Sequence, residues 1–279
     1  MRIRHGIAAC AVAAIAAAAA GIGFAAPKPF PQLAQRASGA PVDVVLALGV
    51  DVSYSMDPEE QALQLEGYIA AINSPEFMRA LRQGMHAKVA MTYYEWAGSH
   101  HTEVIVPWRV VDNPETADAF VADIARARYT RASRTSVSSA LLFGAALIEG
   151  SGYQGLRRVI DISGDGVNNN GPLVTDARDE VLAKGITING LPIILKRPTR
   201  STFDIENLDI YFEDCVIGGP GAFVIPVKAR EQFKEAIRTK LVLEIAGRTP
   251  EPRVIPAEGR KPRISCTIGE QIWQQRWGN

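Results

Sequence analysis

The chain has 279 residues, with 30 Lys and Arg side chains against 30 Asp and Glu side chains, so its formal net charge is zero. This balance excludes a strongly basic protein that binds nucleic acid by neutralising phosphates. Hydrophobic residues make up 47% and charged residues 22% of the chain, which is typical of a globular protein and excludes a largely disordered one.

The first 26 residues are predicted to be a secretory signal peptide. Arg2 and Arg4 give a positive start, and an uncharged, alanine-rich run follows over residues 6–26. We therefore expect a secreted or periplasmic protein with no membrane insertion after signal cleavage; an uncleaved membrane anchor is the alternative. The repeated prolines of residues 27–41 predict an extended linker, because proline deprives helices and sheets of a backbone donor.

Apolar runs alternate with helical patterns over residues 42–247, which predicts a doubly wound α/β domain. Val44–Val50 is continuously apolar and therefore predicts a central parallel strand covered on both faces. Lys88–Trp96 and Glu103–Val111 are separated by a short polar connection and predict an antiparallel hairpin. Further strands are predicted at residues 159–162, 186–195 and 222–227. The resulting sheet is six-stranded and mostly parallel, with one antiparallel edge strand.

Capping residues and apolar spacing predict the helices. Asp57-Pro58-Glu59-Glu60 combines an N-cap residue, a proline at the first helical position and an acid three residues after the cap. Apolar residues at intervals of four mark the last helix of the domain: Phe233, Ile237, Leu241 and Ile245. Other helices are predicted from Asn113-Pro114 onward and at residues 136–149, 176–184 and 211–217. Residues 248–279 are predicted to form a tail docked on the domain, with Trp273 and Trp277 on one side of a short helix.

Two of the three cysteines lie outside the predicted signal peptide. Cys215 and Cys266 form an even pair in a compartment that permits disulfides, whereas Cys10 lies within the signal. A bond between Cys215 and Cys266 would close a loop of about 50 residues and contribute about 4 kcal/mol in the chain-entropy model. We predict this disulfide; two unpaired buried thiols are the alternative.

Oxygen-bearing side chains follow two of the predicted strands. Asp51, Ser53 and Ser55 occupy alternate positions after the first strand, so that an extended loop would point their oxygens the same way. Asp165 follows a later strand between two glycines, which permit a tight turn, and Thr135 precedes a helix. Because ligands of open α/β sheets bind beyond the carboxyl ends of the strands, these five residues are predicted to form one site.

Three hydroxyls and two carboxylates predict a site for a hard divalent cation, Mg²⁺ first, with Mn²⁺ or Ca²⁺ as alternatives. Two acids balance the charge of such a cation, and Mg²⁺ suits a site with few direct protein ligands because it retains water. Adjacent His100 and His101 lack further Cys or His residues at ligand spacing and do not predict zinc. The hydroxyl assigned to Thr135 has nearby alternatives in Ser133, Ser136 and Ser138.

The Asp51-Ser53-Ser55 triplet, Thr135 and the Asp165-Gly166 pair resemble the metal-ion-dependent adhesion site of von Willebrand factor type A (VWA) domains. The resemblance covers residues 42–247 and is strongest to secreted bacterial members of unassigned function. Three positions depart from the family pattern: Val137 replaces a frequent second Thr, Ser163-Gly164 replaces an apolar-Thr pair, and Tyr54 replaces a small residue.

The VWA resemblance implies a six-stranded doubly wound sheet with one antiparallel edge. It also implies binding without turnover, in which a Glu or Asp carboxylate of a partner completes the metal shell. Arg126, Arg128, Arg131 and Arg134 precede Thr135 and either steer an acidic partner or form a solvated basic loop.

The sequence therefore predicts a secreted metal-dependent binding module, not an enzyme, that recognises a carboxylate on a protein or cell-surface ligand. One alternative is a Mg²⁺-dependent phosphohydrolase with Asp51 as nucleophile, although the residue two positions later is Ser53 and no suitable lysine follows a strand end. A serine hydrolase is disfavoured because no Gly-x-Ser-x-Gly elbow is present. A module that binds partners without metal is the third possibility.

Overall fold

The computed structural model of the protein describes residues 39–127, 130–195, 205–248 and 262–277. The predicted signal peptide and most of the predicted linker, residues 27–41, lie outside these ranges, as does Arg128. The domain limits proposed from the sequence therefore stay predictions.

A single five-stranded sheet forms the centre of the described part of the chain. Its strands are β1 (Pro41–Asp51), β2 (Val89–Trp96), β3 (Thr102–Val111), β4 (Gln154–Gly164) and β5 (Thr187–Pro192). They lie in the order β3-β2-β1-β4-β5, and every neighbouring pair is parallel except the antiparallel pair β2 and β3. The predicted α/β fold class and the antiparallel hairpin at one edge are thus confirmed.

Strand β1 is buried on both faces, as its continuous apolar run predicts. Val44, Leu46, Leu48 and Val50 join one hydrophobic cluster, and Val45 and Ala47 join the other. Successive side chains of a strand point to opposite faces, so one run supplies both layers of the core. This places the carboxyl end of β1 in the middle of the sheet edge.

Helices cover both faces of the sheet. They are α1 (Pro58–Ile72), α2 (Pro75–Arg82), α3 (Pro114–Ala125), α4 (Val137–Gly150), α5 (Val174–Ala183), α6 (Leu208–Tyr211) with a π-helical turn (Phe212–Val216), α7 (Phe233–Ala246) and α8 (Ile268–Trp277). Side chains of α1, α2, α3 and α7 line one hydrophobic cluster, and those of α4, α5 and α6 line the other. Asp57 and Glu60 form the capping box that the sequence predicts at the start of α1.

The predicted sixth strand, residues 222–227, is not a regular strand. It runs parallel to β5 through two isolated bridges, Gly190 with Val224 and Ile193 with Val227. The backbone N–H groups of Ile225 and Val227 donate to the carbonyls of Gly190 and Pro192. A regular parallel ladder between these two bridges requires the residue at position 192 to donate a backbone hydrogen bond. Pro192 has no N–H and cannot make this bond. The correction to the six-stranded prediction therefore has a local cause.

Strand β3 forms the antiparallel edge of the sheet. Its register with β2 shifts twice, between Met91 and Tyr93 and between Tyr93 and Tyr94. Glu103, Pro107 and Arg109 are exposed along this strand. A proline and charged side chains are typical of an edge strand, because they interrupt the row of backbone groups that a further strand would pair with.

A cluster of three ionisable side chains lies within the core between α7 and the sheet. Lys240 Nζ lies 2.7 Å from Asp161 Oδ1 and 2.6 Å from Glu244 Oε1. Asn189 Nδ2 also donates to Glu244 Oε1, at 2.9 Å. Lys240, Asp161 and Glu244 are at most 2% exposed. Burial, and next the negative charge of Asp161, raise the pKa of Glu244 to about 8, although Lys240 acts in the opposite direction.

We expect the raised pKa of Glu244 to make the protein less stable as the pH rises. The unfolded chain releases this proton near pH 4, whereas the folded protein holds it until about pH 8, so the stabilisation is present at low pH and is lost through about pH 8. Between about pH 6 and about pH 8 the free energy of unfolding should fall by roughly 2 kcal/mol because of this group. Urea denaturation across this range measures the effect.

Glu244→Gln is the matched variant for this pH dependence, since it keeps the side-chain size and removes the titrating proton. The difference between the two pH profiles isolates Glu244 from every other group of the protein. Parallel profiles of the two proteins would show that Glu244 does not carry the effect.

The predicted disulfide is confirmed. Cys215, in the π-helical turn that follows α6, is bonded to Cys266, just before α8, with a Cα–Cα distance of 5.4 Å. The bond joins the C-terminal segment to the body of the domain.

Candidate metal site

The carboxyl ends of β1 and β4 meet at the centre of the sheet edge. The two strands pair in parallel up to Val50 and Ser163, so Asp51 and Gly164 come next on adjacent strands. Asp51 is fully buried, and its Oδ1 accepts a hydrogen bond of 2.7 Å from the backbone N–H of Ser53. The helices that follow β1 and β4 diverge to opposite faces, and such a point is where open α/β sheets bind ligands.

A chain of hydrogen bonds connects the two predicted acids. The hydroxyl oxygens of Ser53 and Ser55 are 2.8 Å apart, and the Ser55 hydroxyl donates to Asp165 Oδ1 at 2.6 Å. Together with the bond from Ser53 N–H to Asp51, these contacts run from the end of β1 to the turn after β4. The structure therefore brings Asp51, Ser53, Ser55 and Asp165 together.

Thr135 reaches the same turn from a third loop. Its backbone N–H donates to Asn169 Oδ1 at 3.0 Å, and its carbonyl accepts from the N–H of Asn169 at 2.9 Å. A Cβ atom built on Gly166 would lie 3.5 Å from Thr135 Oγ1, so the hydroxyl faces the residue after Asp165. Thr135 thus lies beside the turn that carries Asp165, which is hydrogen-bonded to the loop of Ser53 and Ser55.

The alternative hydroxyls beside Thr135 have other roles. Ser136 is the N-cap of α4, and its hydroxyl accepts from the N–H of Ser139. The Ser138 hydroxyl donates to Asn168 Oδ1 at 3.0 Å, and Ser133 is exposed on the loop. Thr135 therefore stays the hydroxyl that we assign to the candidate site.

The side chains present fit a hard divalent cation. The donors are carboxylate and hydroxyl oxygens, the ligand type that Mg²⁺ prefers. Gly164 leaves the necessary space, because a Cβ atom there would lie 2.9 Å from Asp51 Oδ2. Within the described ranges, no group of three or more His, Cys, Asp or Glu side chains is arranged to hold a metal. The candidate site combines two acids with hydroxyls.

Three consecutive asparagines hold the loops of the site together. Asn168 Oδ1 accepts from both the N–H and the hydroxyl of Ser138, and Asn169 Oδ1 accepts from Thr135 N–H. Asn170 Oδ1 accepts from the N–H of Ser99, in the connection between β2 and β3, at 2.7 Å. The sequence indicates a turn here. The run of amides that begins two residues after Gly166 is the available signal for this further role, because an amide can fix two loops at once.

Three of the arginines that precede Thr135 lie among the described residues, and each makes a contact. Arg131 donates to the backbone carbonyls of Tyr54 and Met56, and its guanidinium lies 5.2 Å from the Tyr54 ring centroid. Arg134 stacks on Trp273 of α8, and Arg126 pairs with Asp123. The interpretation of this segment as a freely solvated basic loop therefore does not apply to Arg131 and Arg134. The positive charge of Arg131 lies beside Tyr54, whose side chain is 60% exposed.

One further acid lies near the site on the β2 side. Burial raises the pKa of Glu95, although a hydrogen bond from the Thr130 hydroxyl acts in the opposite direction. Val52 N–H donates to the carbonyl of Trp96, the residue after Glu95. Glu95 and Thr130 thus connect the loop that carries Thr135 to the edge of the sheet.

This fold and this arrangement of loops define a VWA-like domain, and solved structures agree. The chain is similar to proximal thread matrix protein 1 from the mussel byssus (TM-score 0.53, 12% identity, covering 75% of this chain and 49% of that one). It is also similar to the pilus adhesin SpaC from Lactobacillus rhamnosus GG (TM-score 0.54, 12% identity, 74% and 30%). A third similar structure is a von Willebrand factor type A protein from Catenulispora acidiphila (TM-score 0.51, 10% identity, 73% and 43%).

The chain belongs to the family described as "Protein of unknown function (DUF1194)", whose model matches residues 41–249. A comparison with curated proteins found no match. The chain spans less than half the length of each of the three similar structures, and at this identity the similarity concerns the fold.

Proposed function

We propose that this protein is a metal-dependent binding module that recognises a carboxylate on a protein or cell-surface ligand. The observation that carries the proposal is the hydrogen-bonded chain from Asp51 through Ser53 and Ser55 to Asp165, with Thr135 beside it. These five residues would hold Mg²⁺, with Mn²⁺ or Ca²⁺ as alternatives. The bound cation would supply positive charge and an open position for an oxygen of the partner.

The protein's own residues prepare this position in three ways. The glycines around Asp165 leave room at the carboxyl ends of β1 and β4. Asn168 and Asn169 fix the loops that carry Asp165 and Thr135. Arg131 adds positive charge at the rim, which favours an acidic partner and speeds its association.

A binding role also agrees with the pilus adhesin among the similar structures. For localisation, we propose export through the predicted signal peptide at residues 1–26, to the periplasm or the outside of the cell. In the part of the chain that the structure describes, no helix is both long and apolar enough to cross a membrane.

The phosphohydrolase alternative requires Asp51 to attack a substrate. Asp51 is fully buried, and its Oδ1 already accepts from Ser53 N–H. Arg131 beside the site donates to two backbone carbonyls, so a phosphate would compete with these bonds. These contacts favour binding without turnover.

We expect Mg²⁺ or Mn²⁺ to stabilise the folded protein, because a ligand that binds only the native state shifts the unfolding equilibrium. At a metal concentration about 100 times the dissociation constant, the free energy of unfolding rises by about 2.7 kcal/mol, which raises the melting temperature by roughly 5–10 °C. Asp51→Ala should abolish the shift, since it removes one of the two acids of the site. Thermal unfolding in chelator and in millimolar metal measures both effects.

Asp43→Asn is the control for this experiment. Asp43 lies at the opposite end of β1, is buried, and accepts from the N–H groups of His86 and Lys88. This variant should be less stable but keep the full metal shift. A wild-type protein whose melting temperature does not respond to millimolar metal would favour the metal-free module.

For the partner, peptides with Asp or Glu should bind in Mg²⁺ but not in chelator. Equal binding of their Asn or Gln counterparts would contradict a carboxylate ligand.

A further inference from the structure

The C-terminal segment, residues 262–277, packs against the loops of the candidate metal site. Cys266 ties it to Cys215, and Arg263 forms ion pairs with Glu213 and Asp214, its Nη2 lying 2.7 Å from Asp214 Oδ1. Ile268, at the start of α8, packs against the hydrophobic cluster on the α4 side of the sheet. The segment is therefore fixed to the body of the domain before α8 begins.

The backbone of α8 touches the chain just after Asp165. A Cβ atom on Gly269 would lie 1.9 Å from the carbonyl oxygen of Asn168 and 2.7 Å from its carbonyl carbon. Real side chains do not tolerate such distances, and a backbone carbonyl is not a flexible neighbour. Only glycine therefore allows α8 to approach this closely.

A hydrogen-bonded path leads from α8 to the start of α4. Glu270 Oε1 accepts from Asn168 Nδ2 at 2.8 Å. The Oδ1 atom of the same fully buried amide accepts from the N–H and the hydroxyl of Ser138, both at 3.0 Å. Because an amide group is planar, fixing its nitrogen also fixes its oxygen. Glu270, together with the Pro172 carbonyl that accepts from the same nitrogen at 3.0 Å, thus orients the group that anchors the first turn after Thr135.

The residue before Thr135 also contacts α8. The Arg134 guanidinium lies 3.8 Å from the centroid of the Trp273 ring. Arg134 has a φ angle of 71°, a left-handed conformation that is uncommon for a residue with a side chain. Such a conformation persists only where surrounding contacts stabilise it, and the cation–π contact with Trp273 is one such contact.

We infer that α8 is a positioning element of the candidate metal site, with Gly269, Glu270 and Trp273 acting through Asn168 and Arg134 on the loops of Asp165 and Thr135. The inference rests on the proposed function for its consequence, metal affinity. Its structural part, the ordering of the two loops, does not depend on metal. The tail is accordingly more than a docked extension of the domain.

Gly269→Ala tests the inference, because the added methyl group forces α8 away from Asn168 and leaves the disulfide intact. Gly150→Ala is the matched control, since nothing lies within 4 Å of the added Cβ at the end of α4. In chelator, hydrogen exchange of the Thr135, Ser138 and Asn169 amides should be on the order of tenfold faster in Gly269→Ala than in the control. The Mg²⁺ affinity measured by calorimetry should fall by about tenfold.

A second pair of measurements covers the case in which Gly269→Ala does not fold. Trp273→Ala removes the stack on Arg134 and should accelerate exchange at Thr135 in the same way. In the wild-type protein, Mg²⁺ should slow exchange within residues 268–277, because coupling between two sites is reciprocal.

The outcomes distinguish the inference from the proposed function. Unchanged exchange of the three amides in both variants would overturn the inference, whether or not the wild-type protein binds metal. Unchanged Mg²⁺ affinity in variants with accelerated exchange would also overturn it. Accelerated exchange, together with no Mg²⁺ binding by the wild-type protein, would support the positioning role of α8 and contradict the proposed metal-dependent function.

Discussion

Lys240→Ala should destabilise the protein by about 3–5 kcal/mol at neutral pH, because it leaves the buried Asp161 without its cation and Glu244 Oε1 without one of its donors. The two acids come from β4 and α7 and are buried, so neither reaches water unless the core between them opens. Lys240→Met should lose nearly as much, although it retains most of the side-chain volume, which separates the loss of charge from the loss of packing. Denaturant titration gives both free energies of unfolding.

Lys234→Ala is the control for this prediction. Lys234 lies on the same helix and pairs with Glu66 at 3.2 Å, but both side chains are 59% exposed. Exposed pairs contribute at most about 1 kcal/mol, so this variant should be nearly as stable as the wild type. A loss below about 1 kcal/mol at neutral pH would show that the buried acids do not depend on Lys240.

Replacing Cys215 and Cys266 together by serine should cost about 4 kcal/mol. The bond closes a loop over a sequence separation of 51 residues, and the chain-entropy model gives about this value for the restriction of the unfolded chain. The folded protein also loses the covalent tie that presents α8 to the site. The difference in the free energy of unfolding between the wild type and the double variant measures these two effects together.

Reduction of the wild-type protein by a dithiol provides the comparison for the serine variant. The reduced protein and the double variant should have the same stability within about 1 kcal/mol, because both lack the bond and keep the rest of the chain. A much larger loss in the double variant would mean that the serine hydroxyls, not the missing bond, destabilise the core around Cys215.

Periodicity and caps predict most of the fold. Val44–Val50 is a continuous apolar run, and its burial on both faces is what the structure shows. Asp57, Pro58 and Glu60 carry a start signal that needs no tertiary contact, so the beginning of α1 follows from local chemistry. Helix α2, over Pro75–Arg82, was not predicted, because eight residues are too few to show a convincing period. Its Ser74 N-cap and the proline after it were the available signals.

Long-range contacts explain what the sequence does not reveal. Lys240 and Glu244, four residues apart on a helix, have the spacing of an ordinary exposed ion pair. They are buried because Asp161 and Asn189 meet them from two strands far away in sequence. The irregular pairing of residues 222–227 also depends on a long-range contact. The missing N–H of Pro192 matters only because residues 222–227 pack beside β5 and would accept a hydrogen bond from that position.

The candidate site could be predicted as a set of residues but not as a supported structure. Asp51, Ser53, Ser55 and Asp165 follow strands, and the parallel arrangement of those strands brings their ends together. The supporting contacts join segments that share no local pattern: Asn168 with Glu270, and Arg134 with Trp273. No spacing in the sequence predicts these contacts, because they depend on where the disulfide places the C-terminal segment, residues 262–277.

The exposed edge formed by β3 has a consequence for behaviour at high concentration. A foreign strand approaching this edge would meet Pro107, which offers no hydrogen, between the charges of Glu103 and Arg109. Sheet growth from one molecule to the next is therefore discouraged, and crowded copies of the protein are expected to resist fibre formation.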